Sequence, residues 1–297
     1  MKSKSLIKYL PPIVAFIIAT TVLLALTNKD GDIPYSIKTT ESAGIFYSTL
    51  SSLGGFLPPL IPAFAGFLMI FNSPKESKAR HIVGVIFGAL FVVFFTWFAW
   101  EEGHSIIVHH KTLFTILIAV FLLLMDGVLG HFAYKLSQIE DKHSLLVGSI
   151  IIIVICFMSI CGTEGVKLIV SRPRPIQGML NIGEYRRWYE FKPFQKNKHE
   201  NWDSFVSGHA SNSACLITTL PLLLSLTKLK NNKLAYIFGS VIGFLFMLVI
   251  ASSRVLLKEH YVCDVAGSVI VSTVVQILTL LIVQELILKS SKKLIAF

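Results

Sequence analysis

The sequence predicts an all-α protein, a polytopic membrane bundle of about eight transmembrane helices. Of its 297 residues, 54% are hydrophobic and only 15% are charged, and the mean hydropathy is +0.69. A soluble globular domain has about one-quarter charged residues. The net charge is +10, but the basic residues lie in short segments between apolar stretches. That placement disfavours a nucleic-acid-binding protein.

Eight segments have the length and apolar character of membrane spans. They cover residues 7–27, 45–71, 82–100, 112–134, 145–165, 209–227, 234–252 and 263–286. The first resembles a signal peptide because Lys2, Lys4 and Lys8 precede its apolar run. Its length and the lack of a small-x-small cleavage site favour a retained helix instead.

Glycine and proline mark points where these helices bend or approach one another. The second span contains Gly54, Gly55, Pro58, Pro59 and Pro62. These residues predict a kinked or interrupted helix, which membrane bundles tolerate where neighbours satisfy the freed backbone groups. Two pairs with a four-residue spacing suit close helix packing. They are Gly84/Gly88 and Gly239/Gly243.

The positions of lysine and arginine predict the orientation of the helices. With a cytoplasmic N-terminus, the inside segments hold fourteen of the 27 basic residues, whereas the outer face holds Lys29, Lys38 and Lys111 apart from its motif-bearing segments. Because cytoplasmic loops are enriched in basic residues, both termini are predicted to be cytoplasmic. Ten basic residues oppose this bias, and anion binding explains them. They are Lys167, Arg172, Arg174, Arg186, Arg187, Lys192, Lys196, Lys198, Arg254 and Lys258.

The first of three outer segments suits phosphate binding. Lys167 ends a span, and Arg174 follows seven residues later beside Pro173 and Pro175. An arginine fork matches two phosphate oxygens, and a lysine adds a compact charge. The alternative is that Lys167 reaches the membrane interface and the arginines bind lipid headgroups.

The second segment is Ser207, Gly208 and His209, directly before an apolar run. Serine is a natural N-cap, glycine lets a ligand approach the backbone, and a helix N-terminus attracts anions. The segment therefore predicts an anion site at a helix start. An ordinary helix cap beside an interfacial histidine is the alternative.

The third segment joins two spans. Ser253 and Arg254 end one span, and His260 and Asp264 open the next. Four residues apart on a helix, the histidine and the aspartate share a face. A carboxylate on one ring nitrogen fixes the tautomer of a histidine and leaves the other nitrogen free as a nucleophile. An interfacial His–Asp pair without catalytic function is the alternative.

Together the segments resemble the signature of the type-2 phosphatidic acid phosphatase superfamily, which includes membrane lipid-phosphate phosphatases and soluble vanadium haloperoxidases. That signature reads Lys-x6-Arg-Pro, Pro-Ser-Gly-His and Ser-Arg-x5-His-x3-Asp. The chain matches it from Lys167 to Pro175 and from Ser253 to Asp264, and departs once, with Val206 where proline is usual. Within the superfamily it resembles bacterial phosphatidylglycerophosphate and undecaprenyl-diphosphate phosphatases.

The resemblance implies an architecture and a role for each residue. A six-helix catalytic core would occupy residues 76–297, with an outer loop at 166–208 and an N-terminal addition of two spans at 1–75. His260 would attack phosphorus and form a phosphohistidine, Asp264 would orient it, and His209 would protonate the leaving oxygen. The implied phosphate-binding set is Lys167, Arg174, Ser207, Gly208 and Arg254.

Neither a cofactor nor a metal is expected, because side chains supply the cations. One outer loop has metal-binding donor atoms but is predicted to be a solvated connector. Its members are Glu101, Glu102, His104, His109 and His110. Asp126 and His131 lie inside the fourth span and are predicted to form a buried structural pair, although ionisable groups there are often functional.

The predicted function is an integral membrane phosphatase of a lipid phosphate or diphosphate, with its site at the periplasmic face of a bacterial inner membrane. Candidate substrates are undecaprenyl diphosphate, phosphatidylglycerophosphate, phosphatidic acid and lipid A phosphates. A lipid phosphotransferase with the same intermediate and a non-enzymatic lipid transporter or scaffold are the alternatives. Membrane lipids are expected partners, with no nucleic acid and no obligatory protein partner.

Arg186 and Arg187 are candidates for a second anion site in the outer loop. General attraction to anionic lipid is worth about 1 kcal/mol per basic residue near the surface. The sharper hypothesis is that Arg186 or Arg187 binds a second anionic group of the substrate headgroup.

Overall fold

The computed structural model describes residues 8–38, 40–104, 111–170, 172–176, 185–190, 203–226 and 233–295. Its helices are α1 (Leu10–Leu26), α2 (Asp32–Ser36), α3 (Glu41–Asn72), α4 (Lys78–His104), α5 (Lys111–Ile139), α6 (Lys142–Ile169), α7 (Gly208–Ser225), α8 (Lys233–Leu256) and α9 (Val262–Ile295). Extended pairing within those ranges is limited to a bridge between Arg172 and Asp203. The all-α prediction is therefore confirmed.

A helix lies over each of the eight predicted spans, and the short α2 is additional. Within the described residues, six helices are long and apolar enough to cross a membrane, namely α3, α4, α5, α6, α8 and α9. The chain is thus an integral membrane protein. Two predicted spans fall short for different reasons: α1 has only 17 residues, and the start of α7 carries His209, Ser211 and Asn212.

The central helix of the bundle is α3, which packs against α4, α5, α6, α7 and α8. It begins after Thr40, whose hydroxyl accepts a backbone hydrogen bond at 3.3 Å. Pro58, Pro59 and Pro62 are buried inside it, yet the helix continues through them to Asn72. The predicted interruption does not occur, because the surrounding helices support the backbone that the prolines leave without donors.

The predicted glycine pairs lie where helices approach closely. A Cβ on Gly88 of α4 would stand 2.8 Å from the Gly66 carbonyl oxygen of α3. A Cβ on Gly243 of α8 would stand 2.5 Å from the Leu216 carbonyl oxygen of α7. The second contact fixes α7 against α8, the helix that carries Arg254.

Other helices enclose α7, which packs against α3, α6, α8 and α9. Every side chain from His209 to Thr219 is buried. The polar ones pair across helices: the Thr163 hydroxyl of α6 donates to Ser211 Oγ at 2.7 Å, and the Thr218 hydroxyl donates to Gln276 Oε1 of α9 at 2.5 Å. Such pairs hold helices together where lipid offers no hydrogen bonds.

The prediction that Asp126 and His131 form a buried pair in the fourth span is wrong. Asp126 of α5 accepts a hydrogen bond from the Thr96 hydroxyl of α4 at 2.8 Å. His131 is exposed and its ring meets Phe132. Residues five apart on a helix lie on different faces, so Asp126 and His131 point to different surroundings.

Candidate active site

Three polar segments meet at one end of the bundle. One follows α6, one precedes α7, and one joins α8 to α9. Backbone hydrogen bonds tie them together: the Ser204 N–H donates to the Arg172 carbonyl at 3.0 Å. The Ser207 N–H donates to the Asp264 carbonyl at 3.4 Å. The residues that the sequence singled out are therefore neighbours in the fold.

The turn between α8 and α9 is closed by its own backbone. Arg254 lies in the last turn of α8, and its carbonyl accepts from the N–H groups of Glu259 at 3.1 Å and His260 at 3.3 Å. Asp264 lies in the first turn of α9, and its Oδ2 accepts from the Tyr261 N–H at 2.8 Å. The turn thus places Arg254, His260 and Asp264 side by side.

His260 is buried, and its Nδ1 faces a carbonyl. The Nδ1 lies 2.7 Å from the Ser204 carbonyl oxygen and 3.8 Å from Asp264 Oδ2. Because a carbonyl oxygen can only accept, Nδ1 carries the proton and Nε2 keeps its lone pair in the neutral ring. Burial lowers the pKa of His260, and Arg254 and Arg174 lower it further against the opposing effect of Asp264. The neutral ring is therefore favoured at pH 7.

Asp264 is engaged on both oxygens by other groups. Its Oδ1 accepts from the Arg172 guanidinium, and its Oδ2 accepts from the Ser204 hydroxyl at 2.5 Å. The sequence suggested a direct hydrogen bond from His260 to Asp264, but 3.8 Å is too long for one. Asp264 instead holds Ser204, whose carbonyl bonds to the imidazole.

The two predicted phosphate-binding arginines face carboxylates. Arg174 donates to Glu259 at 2.5 Å and to Asp203 at 3.1 and 3.3 Å. Arg254 Nη2 lies 3.7 Å from the same glutamate. Burial raises the pKa of Asp203, but Arg174 and Lys167 lower it more, so the net pKa is low. Arg254 and Arg174 likewise outweigh burial and hold the pKa of Glu259 below its ordinary value.

The other predicted phosphate-binding groups surround the start of α7. Lys167 lies in the last turn of α6 and forms an ion pair with the exposed Glu164 at 2.8 Å. Ser207 is the N-cap of α7, and its buried Oγ has no hydrogen-bond partner among the described residues. Gly208 opens the helix, whose first N–H groups lack intrahelical acceptors, and His209 follows, 6% exposed. A buried hydroxyl of this kind suits a ligand oxygen.

Arg186 and Arg187, the predicted headgroup-binding residues, have different surroundings. The Arg186 carbonyl accepts from Arg172 Nε at 2.7 Å. Arg187 is exposed, and its Nη1 donates to the Tyr189 hydroxyl at 2.6 Å. The basic residues farther along this loop lie outside the described residues.

Several site residues were not assigned from the sequence. They are Asp30, Ser51, Arg172, Asp203, Ser204 and Glu259. Arg172 was recognisable only as a basic residue against the positive-inside bias, and its guanidinium binds Asp30 at 2.7 Å as well as Asp264. Asp30 precedes Arg172 by 142 residues, so no local pattern could connect them.

The described residues contain no group of three histidine, cysteine, aspartate or glutamate side chains that could hold a metal ion. In the loop predicted to be a solvated connector, Glu101 is exposed. The side chains of Glu102, His104, His109 and His110 lie outside the described residues.

Residues 145–288 match the family model of the PAP2 superfamily. The match begins inside α6 and ends inside α9, so it includes all three polar segments. It confirms the family resemblance predicted from those segments. The superfamily includes membrane phosphatases, and together with the membrane-spanning helices the match supports a phosphatase-type function in the membrane. No curated protein and no solved structure matches the chain.

Proposed function

We propose that this chain, whose residues 145–288 belong to the PAP2 superfamily, is a membrane phosphatase that hydrolyses a lipid phosphate or diphosphate through a phosphohistidine. The observation that carries the proposal is the state of His260. Its Nδ1 lies 2.7 Å from the Ser204 carbonyl oxygen, and burial, Arg254 and Arg174 lower the pKa of the ring. A neutral imidazole with a free Nε2 beside a cationic pocket suits attack on an anionic phosphorus.

The reaction has two steps with balanced proton transfers. His260 Nε2 forms a bond to phosphorus while the bond to the leaving oxygen breaks, and His209 gives that oxygen its proton. His209 then takes a proton from water, the hydroxide oxygen attacks phosphorus, and the N–P bond breaks to release phosphate. Lys167, Arg174 and Arg254 stabilise the charge on the phosphoryl oxygens in both steps.

Phosphate binding at this site requires that Arg174 exchange partners. In the structure its guanidinium is held by Asp203 and Glu259, which are about one-third exposed. Partly exposed ion pairs are weak, so a phosphate can replace these carboxylates at little cost. The buried Ser207 Oγ and the first N–H groups of α7 supply further donors.

An apolar groove beside the site supports a lipid substrate. The groove lies between α1, α8 and α9 and has a volume of about 510 Å³. Val255 and Val262 line the groove. In the chain, Val255 directly follows Arg254, and Val262 comes two residues after His260. An anionic headgroup at the arginines would thus leave its hydrocarbon chain beside an apolar surface.

The finer placement of the protein is also proposed. The excess of basic residues in the predicted inside segments supports cytoplasmic termini and a site at the periplasmic face of a bacterial inner membrane. Residues 1–75 are proposed as an addition to a core at 76–297. Single cysteines placed at either end of the bundle, labelled with an impermeant thiol reagent in intact cells and in lysed cells, test this orientation.

Turnover by the purified protein tests the reaction class. The panel contains undecaprenyl diphosphate, phosphatidylglycerophosphate, phosphatidic acid, lipid A and a soluble aryl phosphate, each labelled on phosphorus. Release of inorganic phosphate is the expected result. A labelled second lipid would instead establish a phosphotransferase, and unchanged substrates would favour a transporter or scaffold.

The roles of the two histidines are separable. His260→Ala should form no phosphoenzyme, because the attacking nitrogen is gone. His209→Ala should slow an alkyl phosphate more than an activated aryl phosphate, because a good leaving group needs less protonation. An acid-labile, base-stable phosphoenzyme in the His260→Ala protein would refute the assignment.

Metal independence is part of the proposal, since the cations at the site are side chains. Activity should persist in excess EDTA, and vanadate should inhibit because it adopts the five-coordinate geometry of the transferring phosphoryl group. Strict dependence on added magnesium would contradict this.

The lipid groove has its own test. Ser252 is exposed and lines the groove, so Ser252→Trp should fill the groove with little effect on folding. It should reduce turnover of the preferred lipid and leave the aryl phosphate almost unchanged. Ile237→Trp, at an exposed site on the same helix outside the groove, is the matched control. Equal losses on both substrates would exclude the groove as the lipid site.

A further inference from the structure

A carboxylate from the N-terminal part of the chain lies deep in the site. Asp30 stands between α1 and α2, outside the residues that match the PAP2 family, and its side chain is 0% exposed. A buried carboxylate loses its hydration, so its oxygens need partners in the protein. The two hydrogen-bond partners of Asp30 among the described residues, Arg172 and Cys263, belong to the matched region.

One of these partners binds the Asp264 side chain, and the other is the residue directly before Asp264 in the chain. Asp30 Oδ2 lies 2.7 Å from Arg172 Nη2, and the other terminal nitrogen of Arg172 donates to Asp264. Asp30 Oδ1 accepts from the Cys263 N–H at 2.8 Å. Asp30 thus contacts both the guanidinium that binds the Asp264 side chain and the backbone N–H of Cys263, the residue before Asp264.

The Arg172 guanidinium is fixed in its plane by further contacts. Its Nε donates to the Arg186 carbonyl at 2.7 Å. Its central carbon lies 3.9 Å from the centre of the Tyr261 ring and 5.3 Å from that of Tyr185. Because the guanidinium is planar and rigid, Asp30 and Asp264 are held at a fixed separation by its two terminal nitrogens.

The bond to Cys263 anchors the start of α9. The first N–H groups of a helix have no intrahelical acceptor, and a carboxylate there also favours the positive end of the helix. Asp30 supplies that acceptor from 233 residues away along the chain. The orientation of α9, which carries Asp264, therefore depends on a residue of the N-terminal segment.

A second N-terminal group supports another part of the site. Ser51 of α3 is fully buried, and its Oγ accepts from Arg254 Nη1 at 2.8 Å. Residues that precede the matched region therefore contact two arginines of the site, Arg172 and Arg254.

We propose that Asp30 is a positioning residue of the active site. Through Arg172 and the start of α9 it holds Asp264 in place, Asp264 holds Ser204, and the Ser204 carbonyl keeps the proton on His260 Nδ1. The proposal rests on the proposed function, in which His260 Nε2 attacks phosphorus. It gives the N-terminal addition a part in the chemistry.

The test compares Asp30→Asn, Asp30→Glu and Asp32→Asn. Asp32 is an exposed carboxylate in α2, so Asp32→Asn makes the same charge change in the same region without touching the site. Asp30→Asn should lower kcat by roughly tenfold to a hundredfold, as for a small misplacement of a reacting group, with KM nearly unchanged. Asp30→Glu retains the carboxylate and should recover part of kcat, and Asp32→Asn should match the wild type.

A spectroscopic readout separates this proposal from the proposed function. The ¹⁵N shifts of the His260 ring, assigned with a His260→Gln sample, report which nitrogen carries the proton. Wild-type and Asp32→Asn proteins should show the proton on Nδ1, and Asp30→Asn should show a mixture. The tautomer of His260 tests the positioning role of Asp30 without any need for turnover. If the wild type hydrolyses no substrate, that result refutes only the proposed function.

Two results would overturn the positioning role. One is an unchanged His260 tautomer in a folded Asp30→Asn protein. The other is a loss of activity in Asp30→Asn that is explained by a lowered melting temperature alone, so that full activity returns when the protein is cooled. If Asp30→Asn fails to fold, the same measurements on Asp30→Glu decide, since a carboxylate displaced by one methylene should lower kcat and leave KM nearly unchanged.

Discussion

Arg172 and Arg174 stand two residues apart, and each is held by two carboxylates in a different environment. The side chains of Arg172, Asp30 and Asp264 are at most 1% exposed. The Arg174 side chain is 22% exposed, and Asp203 and Glu259 are 35% and 31% exposed. Similar chemistry therefore serves two purposes. The buried set is Arg172 with Asp30 and Asp264, and it cannot exchange partners without leaving a buried charge unpaired. The open set is Arg174 with Asp203 and Glu259, and it can release its carboxylates to an anion.

The largest expected effect breaks the buried set. Arg172→Met leaves Asp30 and Asp264 facing each other without a cation, which should cost about 3–5 kcal/mol of stability. Arg174→Met in the open set should cost about 0–1 kcal/mol while still abolishing most activity. Thermal unfolding in detergent, measured beside turnover, checks both. Similar losses of stability in the two variants would remove the distinction between the sets.

The pH dependence of turnover connects the open set to His260. In the proposed reaction the neutral ring of His260 is the attacking form, and burial, Arg254 and Arg174 lower its pKa below the ordinary value of 6.5. Activity should therefore persist as the pH falls through 6.5 and be lost only below it. Arg174→Gln removes one of these cations and should move the acidic limb of kcat/KM to higher pH. A limb that stays in place or moves lower would contradict the electrostatic coupling.

Competition within the open set gives a smaller effect. Asp203 and Glu259 have lowered pKa values, so both remain ionised at neutral pH and compete with an anion for Arg174. Glu259→Gln should tighten vanadate inhibition by about three- to tenfold, in line with one weakened ion pair of roughly 1 kcal/mol. Glu164→Gln, in the exposed pair with Lys167, is the control and should change it less. Weaker inhibition in Glu259→Gln would mean that the glutamate assists binding.

The smallest expected effect concerns the neighbouring loop. The Arg186 carbonyl serves the buried set, whereas the Arg187 side chain is exposed. Arg186→Ala/Arg187→Ala should lower turnover of the preferred lipid by about fivefold, equivalent to roughly 1 kcal/mol, and leave a soluble ester unchanged. Similar losses for every anionic lipid, largely removed by salt, would mean that Arg186 and Arg187 only attract anionic lipid in general.

The sequence predicted the helices well and the open set in part. Apolar length located the eight helices, six of which are long and apolar enough to cross a membrane within the described residues. Motif spacing identified Arg174 and Arg254, which belong to the family signature. Their counter-ions were missed, because Glu259 and Asp203 carry no pattern of their own.

The buried set could not be predicted in the same way. Asp30 meets Arg172 only because α1 packs along α9 and brings the following loop to the start of that helix. Contacts of this range depend on how helices associate, which a periodicity does not encode. The direct acceptor of His260 was also hidden, because a backbone carbonyl such as that of Ser204 has no sequence signature.

The burial of α7 has a consequence for biogenesis. This helix starts with polar residues and is enclosed by α3, α6, α8 and α9, so lipid touches little of it in the finished bundle. Its partner Gln276 is synthesised 58 residues after Thr218, when α7 has already left the ribosome. Until α8 and α9 arrive, α7 should rest beside the translocon or at the membrane surface instead of entering lipid alone. A nascent chain that stops before α8 should therefore leave α7 accessible to proteases, and extension through α9 should protect it.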